Sequence, residues 1–112
     1  MNISEKLRSS NIVLPKAPKP VGAYVAYKKM GNLVFISGQI PFKINGELIK
    51  GKVGLDLTLE QGQEAAHTCA ISILSQINSA CDGNLDKVKN CIKINGFVNS
   101  DESFIDQPKI IN

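Results

Sequence analysis

The sequence predicts an α+β domain in which a helix packs on an antiparallel or mixed sheet. Three observations carry that reading. Two strand-like runs flank Gly31-Asn32, apolar residues recur every three or four positions across Thr58–Ala80, and Asp86–Val98 alternates with period two. A chain of 112 residues suits one domain with a modest core, so residues 1–112 are read as a single domain. Its 43% apolar and 21% charged content is ordinary for a globular protein and excludes a disordered or fibrous class.

Each element follows from local chemistry. The opening MNISEKLRSSN is too polar for a secretory signal but suits a loose helical turn. No apolar run approaches the roughly 20 residues of a membrane span. Pro15, Pro18 and Pro20 fix φ and remove donors, so Leu14–Gly22 should be extended and outside any ladder. Ala23–Met30 and Leu33–Ser37 then form a hairpin, because Gly-Asn tolerates the positive φ of a two-residue turn. A second hairpin, a surface flap, is expected from Phe42–Ile44, the type I′ pair Asn45-Gly46, and Glu47–Ile49.

Thr58 followed by Gln61 has the form of a capping box and starts the long helix. Ala66, Cys69, Ala70, Ile73, Leu74, Ile77 and Ala80 mark its expected buried face. Asp82-Gly83-Asn84 supplies the stop, with glycine taking the left-handed position. In Asp86–Val98, a long strand should bury Val88, Ile92, Ile94 and Val98. Three main strands and one helix leave a sheet edge unpaired, which invites association. Ile110-Ile111 reads as the start of a further element.

Charge gives little direction. The net +3 comes from 13 basic and 10 acidic residues and is scattered, with Lys28-Lys29 the only adjacent basic pair. Without a basic cluster, nucleic acid is not an expected partner. Cys69, Cys81 and Cys91 are odd in number and lack C-x-x-C spacing, so neither disulfides nor zinc are expected, and reduced thiols suit a cytoplasmic protein. With one histidine and no paired ligands, no metal site is expected, and no motif calls for a cofactor.

The usual chemical groups have plain structural readings. His67 sits at the edge of the helix stripe, Cys69 behaves as a small hydrophobe, and Cys81 lies at the wrong helix end for thiol activation. Cys91 lacks a histidine to form a dyad, and Glu60 and Glu64 belong to a solvated helix face. What remains is backbone. Ser37-Gly38-Gln39 ends a strand in a small polar corner, with Tyr24 on the paired strand. That corner is either an ordinary strand exit or main chain left open for a ligand to approach.

Four stretches carry a resemblance: APKPVGAYV, GNLVFISGQIP, the helix start EQGQEAA, and DKVKNCIKINGFVNSDESF. Together they resemble the reactive intermediate deaminase (Rid, YjgF-like) family from about Leu14 to Asn112. GKVG, EQGQEAA and DQPKIIN resemble a less-characterised branch of it. The resemblance implies a chorismate-mutase-like α+β subunit that assembles as a homotrimer with clefts between subunits. It implies cofactor-free hydrolysis of enamines and imines, released by pyridoxal-phosphate enzymes, to ketoacids and ammonia. By position, Tyr24 would line the cleft, Ser37 and Gly38 would form its strand wall, and Asn112 would match a cleft asparagine.

The family continues past that asparagine into a second helix and two strands, bearing an arginine for the substrate carboxylate and a glutamate that positions water. This chain stops before them, and its sole arginine is Arg8. The expectation is an incomplete sequence or a truncated relative with impaired or no deaminase activity, since lysine replaces a bidentate guanidinium poorly. A non-catalytic small-metabolite binding module is the alternative. A ribonuclease or translation inhibitor ranks below both.

Overall fold

A computed structural model describes residues 2–112. The chain divides into two compact units, Met1–Gln39 with Ile71–Ile92 and Ile40–Ala70 with Lys93–Asn112.

The first unit begins with helix α1 (Ile3–Ser9), closed by a capping box in which Asn2 and Glu5 satisfy each other's backbone N–H groups. Strands β1 (Tyr27–Met30) and β2 (Leu33–Ile36) pair antiparallel, with Met30 opposite Leu33. The turn between them has positive φ at Gly31 but not at Asn32, the two-residue form that places glycine first. Residues 71–80 of the long helix α2 (Leu59–Ala80) complete the unit with a 3₁₀ turn at Leu85–Lys87. The helix end is tied to the hairpin by polar contacts: Tyr27 Oη lies 3.3 Å from Ser79 Oγ, and Lys29 Nζ donates to the Ala80 carbonyl at 2.9 Å. Ile3 N–H donates to Asp86 Oδ1 at 3.0 Å and fastens α1 to the 3₁₀ turn.

The second unit is built around Val53. Its N–H donates to Asn99 O and its carbonyl accepts from Asp101 N–H, both at 2.9 Å, forming an isolated parallel bridge with Ser100. Residues 59–70 of α2 and the short helix α3 (Gln107–Ile111) pack here. Gly62 permits that packing, since a Cβ there would sit 2.6 Å from Ile110 Cδ1 and 3.0 Å from Val53 Cγ2. Val53 and Ile110 are the buried apolar residues of this unit.

Several expectations hold. Thr58 and Gln61 close the predicted capping box, with N–H to side-chain oxygen distances of 2.8 and 3.1 Å. The helix stops after Ala80 through paired bonds, Asp82 N–H to Ser79 O and Gly83 N–H to Asn78 O. The first left-handed residue is Asp82 (φ 54), with Gly83 following at φ 83. Ile110-Ile111 do fall in a further element, α3, but they end it rather than start it, since the helix already begins at Gln107 behind Asp106. The α+β class stands, and among the described residues no helix is long and apolar enough to cross a membrane.

Four expectations are corrected. The strand predicted from Ala23 begins only at Tyr27, because residues 21–24 are bent. The flap is a single bridge, Phe42 to Leu48, and its turn is not type I′. Gly46 has φ 88 while Asn45 is not positive, and Lys43 both donates to Glu47 O and accepts from Gly46 N–H. That is a three-residue loop with a glycine bulge, in which Asn45 Oδ1 instead accepts from Glu47 N–H.

The long strand at Asp86–Val98 does not form. After the 3₁₀ turn the chain joins no ladder, and Ile92, Ile94 and Phe97 are exposed, Phe97 at 94%. Alternation shows that a segment has two faces; it does not supply the neighbouring strand that would bond it. The buried stripe of α2 is also displaced from the predicted one. Gly62, Ser72, Ser75, Gln76 and Ala80 are buried, whereas Ile73 and Ile77 are half-buried and Ala70 is exposed. Small and polar side chains take the inner positions, and one of them, Gln76, is satisfied there by donating to Pro18 O at 2.7 Å.

Candidate functional site

Ser37 leaves β2 still bound to the facing chain. Its N–H donates to Ala26 O at 2.9 Å, and its hydroxyl donates to Val25 O at 2.5 Å. The carbonyl of Ser37 accepts from Gln39 Nε2 at 2.9 Å. The corner is therefore fixed by three bonds before any ligand arrives. The hydroxyl proton is committed, so the serine offers a ligand only its two acceptor lone pairs.

Gly38 lies directly after this anchor. No heavy atom comes within 4 Å of where its Cβ would be, so the backbone there faces open space. Its φ is not in the left-handed region, and the glycine is required by neither turn geometry nor packing against this chain. Tyr24 sits in the bend before β1, not on the strand, and is 48% exposed. Its ring folds back over Gly22, where a Cβ would lie 2.9 Å from Cε1. Gly22 and Tyr24 thus form one local unit: the absent side chain makes room for the ring.

The structure places Tyr24, Ser37 and Gly38 in the first unit, with the chain just after Tyr24 bonded to Ser37. Asn112 belongs to the second unit, where its backbone N–H closes α3 onto Pro108 O at 2.9 Å and its side chain is exposed. Gln39 belongs to the polar corner read from the sequence but carries no role there, whereas in the structure its amide fixes the Ser37 carbonyl. A polar residue two positions beyond Ser37 was the available signal.

The other candidate groups keep structural roles. His67 and Cys91 are exposed, and burial pushes the half-buried Cys69 thiol up from its ordinary value. Among the described residues no group of three or more His, Cys, Asp or Glu is placed to hold a metal ion.

Comparison with known proteins agrees with this architecture. The profile of the family described as "YjgF/chorismate_mutase-like, putative endoribonuclease" matches residues 4–112. Protein TCP17 of Trypanosoma cruzi is 39% identical over 110 residues, spanning 98% of this chain and 68% of TCP17. A RutC family protein of Pyrococcus abyssi is 46% identical over 43 residues, 38% of this chain and 34% of its own. The crystal structure of Atu1372 from Agrobacterium tumefaciens, a protein of unknown function, superposes with a TM-score of 0.84 at 37% identity. That match covers 96% of this chain and 66% of Atu1372. A Shewanella oneidensis MR-1 protein, titled a putative endoribonuclease, superposes with a TM-score of 0.92 at 28% identity over 99% of this chain and 73% of its own. The chain therefore spans about two thirds of TCP17 and Atu1372 and a third of the Pyrococcus protein. With the profile running over nearly all of its length and the fold shared at high overlap, this chain belongs to the YjgF/chorismate mutase-like family.

Proposed function

We propose that this chain supplies the strand wall of a cleft that hydrolyses small enamines and imines to ketoacids and ammonia in the cytoplasm. One observation carries the reading onto particular residues: the open backbone at Gly38, held in place by the bonds of Ser37. A planar imine can lie against main chain where no side chain intervenes, and the exposed ring of Tyr24 is proposed to line the same cleft. Water adds to the imine carbon, the carbon–nitrogen bond breaks, and ammonia leaves as the carbonyl forms.

The cleft is proposed to close between subunits of a homotrimer. The apolar residues Leu33, Phe35 and Met30 of the hairpin and Ile92, Ile94 and Phe97 beyond the 3₁₀ turn are exposed in the single chain, and unpaired strand edges favour such assembly. Asn112 would join the cleft in that assembly.

A second reading, a non-catalytic binding module for the same ketoacids, draws on the committed hydroxyl of Ser37, which suits recognition more than proton transfer. The endoribonuclease activity in the family description has less support here, with scattered charge and His67 alone on a helix surface.

Ammonia release from freshly generated 2-aminoacrylate separates these. Catalysis predicts release faster than the spontaneous rate and its loss in Gly38→Val, which fills the open wall without disfavouring a strand. No acceleration, with saturable ketoacid binding at Tyr24, replaces the enzyme with the binding module. Loss of intact RNA in the presence of purified protein, with no effect on 2-aminoacrylate, overturns both.

A further inference from the structure

The first unit also contains an open groove of about 510 Å³ whose lining includes none of Tyr24, Ser37 or Gly38. The end of α1 creates it. Asn11 takes a left-handed conformation (φ 57), its N–H donates to Arg8 O, and Ile12 N–H donates to Leu7 O at 2.8 Å. This closing motif turns the chain back on the helix and brings Ile12 beside Leu7. Leu14 and the buried Leu85 extend the apolar wall, while Val13 lines the groove with 84% of its surface exposed.

Among the described residues, Arg8 is the one charged residue in that lining. The ion pairs among the described residues involve Lys43, Lys87 and Lys109, and none reaches Arg8. The carbonyls of the last helical turn are already taken by Ser10, Asn11 and Ile12 N–H groups. A free guanidinium beside an apolar trough, with no carboxylate in the lining, is complementary to an anion carrying an apolar body.

We propose that this groove binds a small amphiphilic monocarboxylate, its chain along Leu7, Ile12 and Leu14 and its carboxylate on Arg8. The volume is within the usual range for small-molecule sites, and the lining joins that apolar wall to Arg8 and the polar Ser4, Asn11 and Asn78. The guanidinium fork accepts a carboxylate through two parallel hydrogen bonds. This site is independent of the cleft proposed at Gly38.

Octanoate and octan-1-ol, titrated into the isotopically labelled 112-residue chain, test it by amide chemical shifts. Octanoate should shift Leu7, Arg8, Ile12, Leu14 and Leu85 saturably, and octan-1-ol, lacking the charge, should bind more weakly. Arg8→Gln, an exposed change that leaves the fold intact, should weaken octanoate about fivefold, the upper range for an exposed ion pair. It should leave octan-1-ol unchanged, and Val13→Asp should weaken octanoate by repulsion. Equal octanoate affinity in Arg8→Gln overturns the assignment, as do shifts that never saturate or that concentrate on the β1–β2 hairpin.

Discussion

The two halves of α2 are held by opposite chemistry. Residues 59–70 are held by closeness: Gly62 has no side chain, and Ile110 and Val53 occupy the space a Cβ would need. Residues 71–80 are held by polar groups. Gln76, 2% exposed, donates to Pro18 O, Ser75 Oγ donates back to Ile71 O, and Tyr27 and Lys29 reach Ser79 and the Ala80 carbonyl. One helix therefore meets apolar side chains at its start and polar partners at its end, the Pro18 carbonyl and the side chains of Tyr27 and Lys29. The difference shows why hydrophobic periodicity misplaced its inner face. Periodicity counts apolar residues, and here the closest contacts belong to a glycine and a glutamine.

The largest effect should come from filling the first contact. Gly62→Val gains helix propensity over glycine but pushes branched carbon into Ile110 and Val53. Overpacking of this kind should cost about 3 kcal/mol, read from the urea midpoint. An unchanged midpoint would show that Ile110 swings aside and that closeness is not what holds this half.

At the other half, Gln76→Leu keeps the volume and removes the donor. Pro18 O then loses its partner, and the expected loss is about 2 kcal/mol. If Gln76→Leu were instead stabilising, apolar packing would suffice at both ends and the contrast would collapse.

Legibility followed sequence distance. The Thr58–Gln61 box and the Gly31 turn were readable because all their atoms come from a few consecutive residues. The Gln76–Pro18 bond joins residues 58 positions apart, and the Gly62 contact needs Val53 and Ile110 from separate segments. No local pattern announces either. The same holds at the candidate site. Ser37 and Gly38 were found as a polar corner, but the capture of the hydroxyl by Val25 O depends on the hairpin's actual register. Tyr24 was assigned to a strand because its neighbours favour one, whereas the bend beginning at Val21 displaces it.

The cap of α2 gives a smaller effect. Thr58→Ala removes the oxygen that accepts from Gln61 N–H and should cost about 1 kcal/mol. Because the cap lies in the second unit, protection of backbone amides against exchange should fall first near Leu59–Gln63. Equal loss at Gln76 and Ser79 would mean that the halves unfold together.

The smallest effect is a difference in acid sensitivity. In the second unit, Asp101 N–H bonds Val53 O, and the Asp101 carboxylate accepts the Ser103 hydroxyl at 2.7 Å. Hydrogen bonds from Ser103, first through its side chain and then through its backbone, hold the Asp101 pKa below the ordinary aspartate value, with smaller help from the Glu102 backbone and the charge of Lys52. A depressed folded pKa contributes stability that is present above the unfolded value, about 3.9, and is lost as pH falls through the lower folded value. The Gln76–Pro18 and Tyr27–Ser79 contacts involve no carboxylate. Acid below pH 4 should therefore loosen exchange protection at Val53 and Asp101 before it affects Gln76, and Ser103→Ala should move the Asp101 titration upward and abolish that lead. Because Asp101 is only half-buried, the effect should be slight and sensitive to salt. An Asp101 titration unmoved by Ser103→Ala would show that the hydroxyl bond is not what sets its acidity.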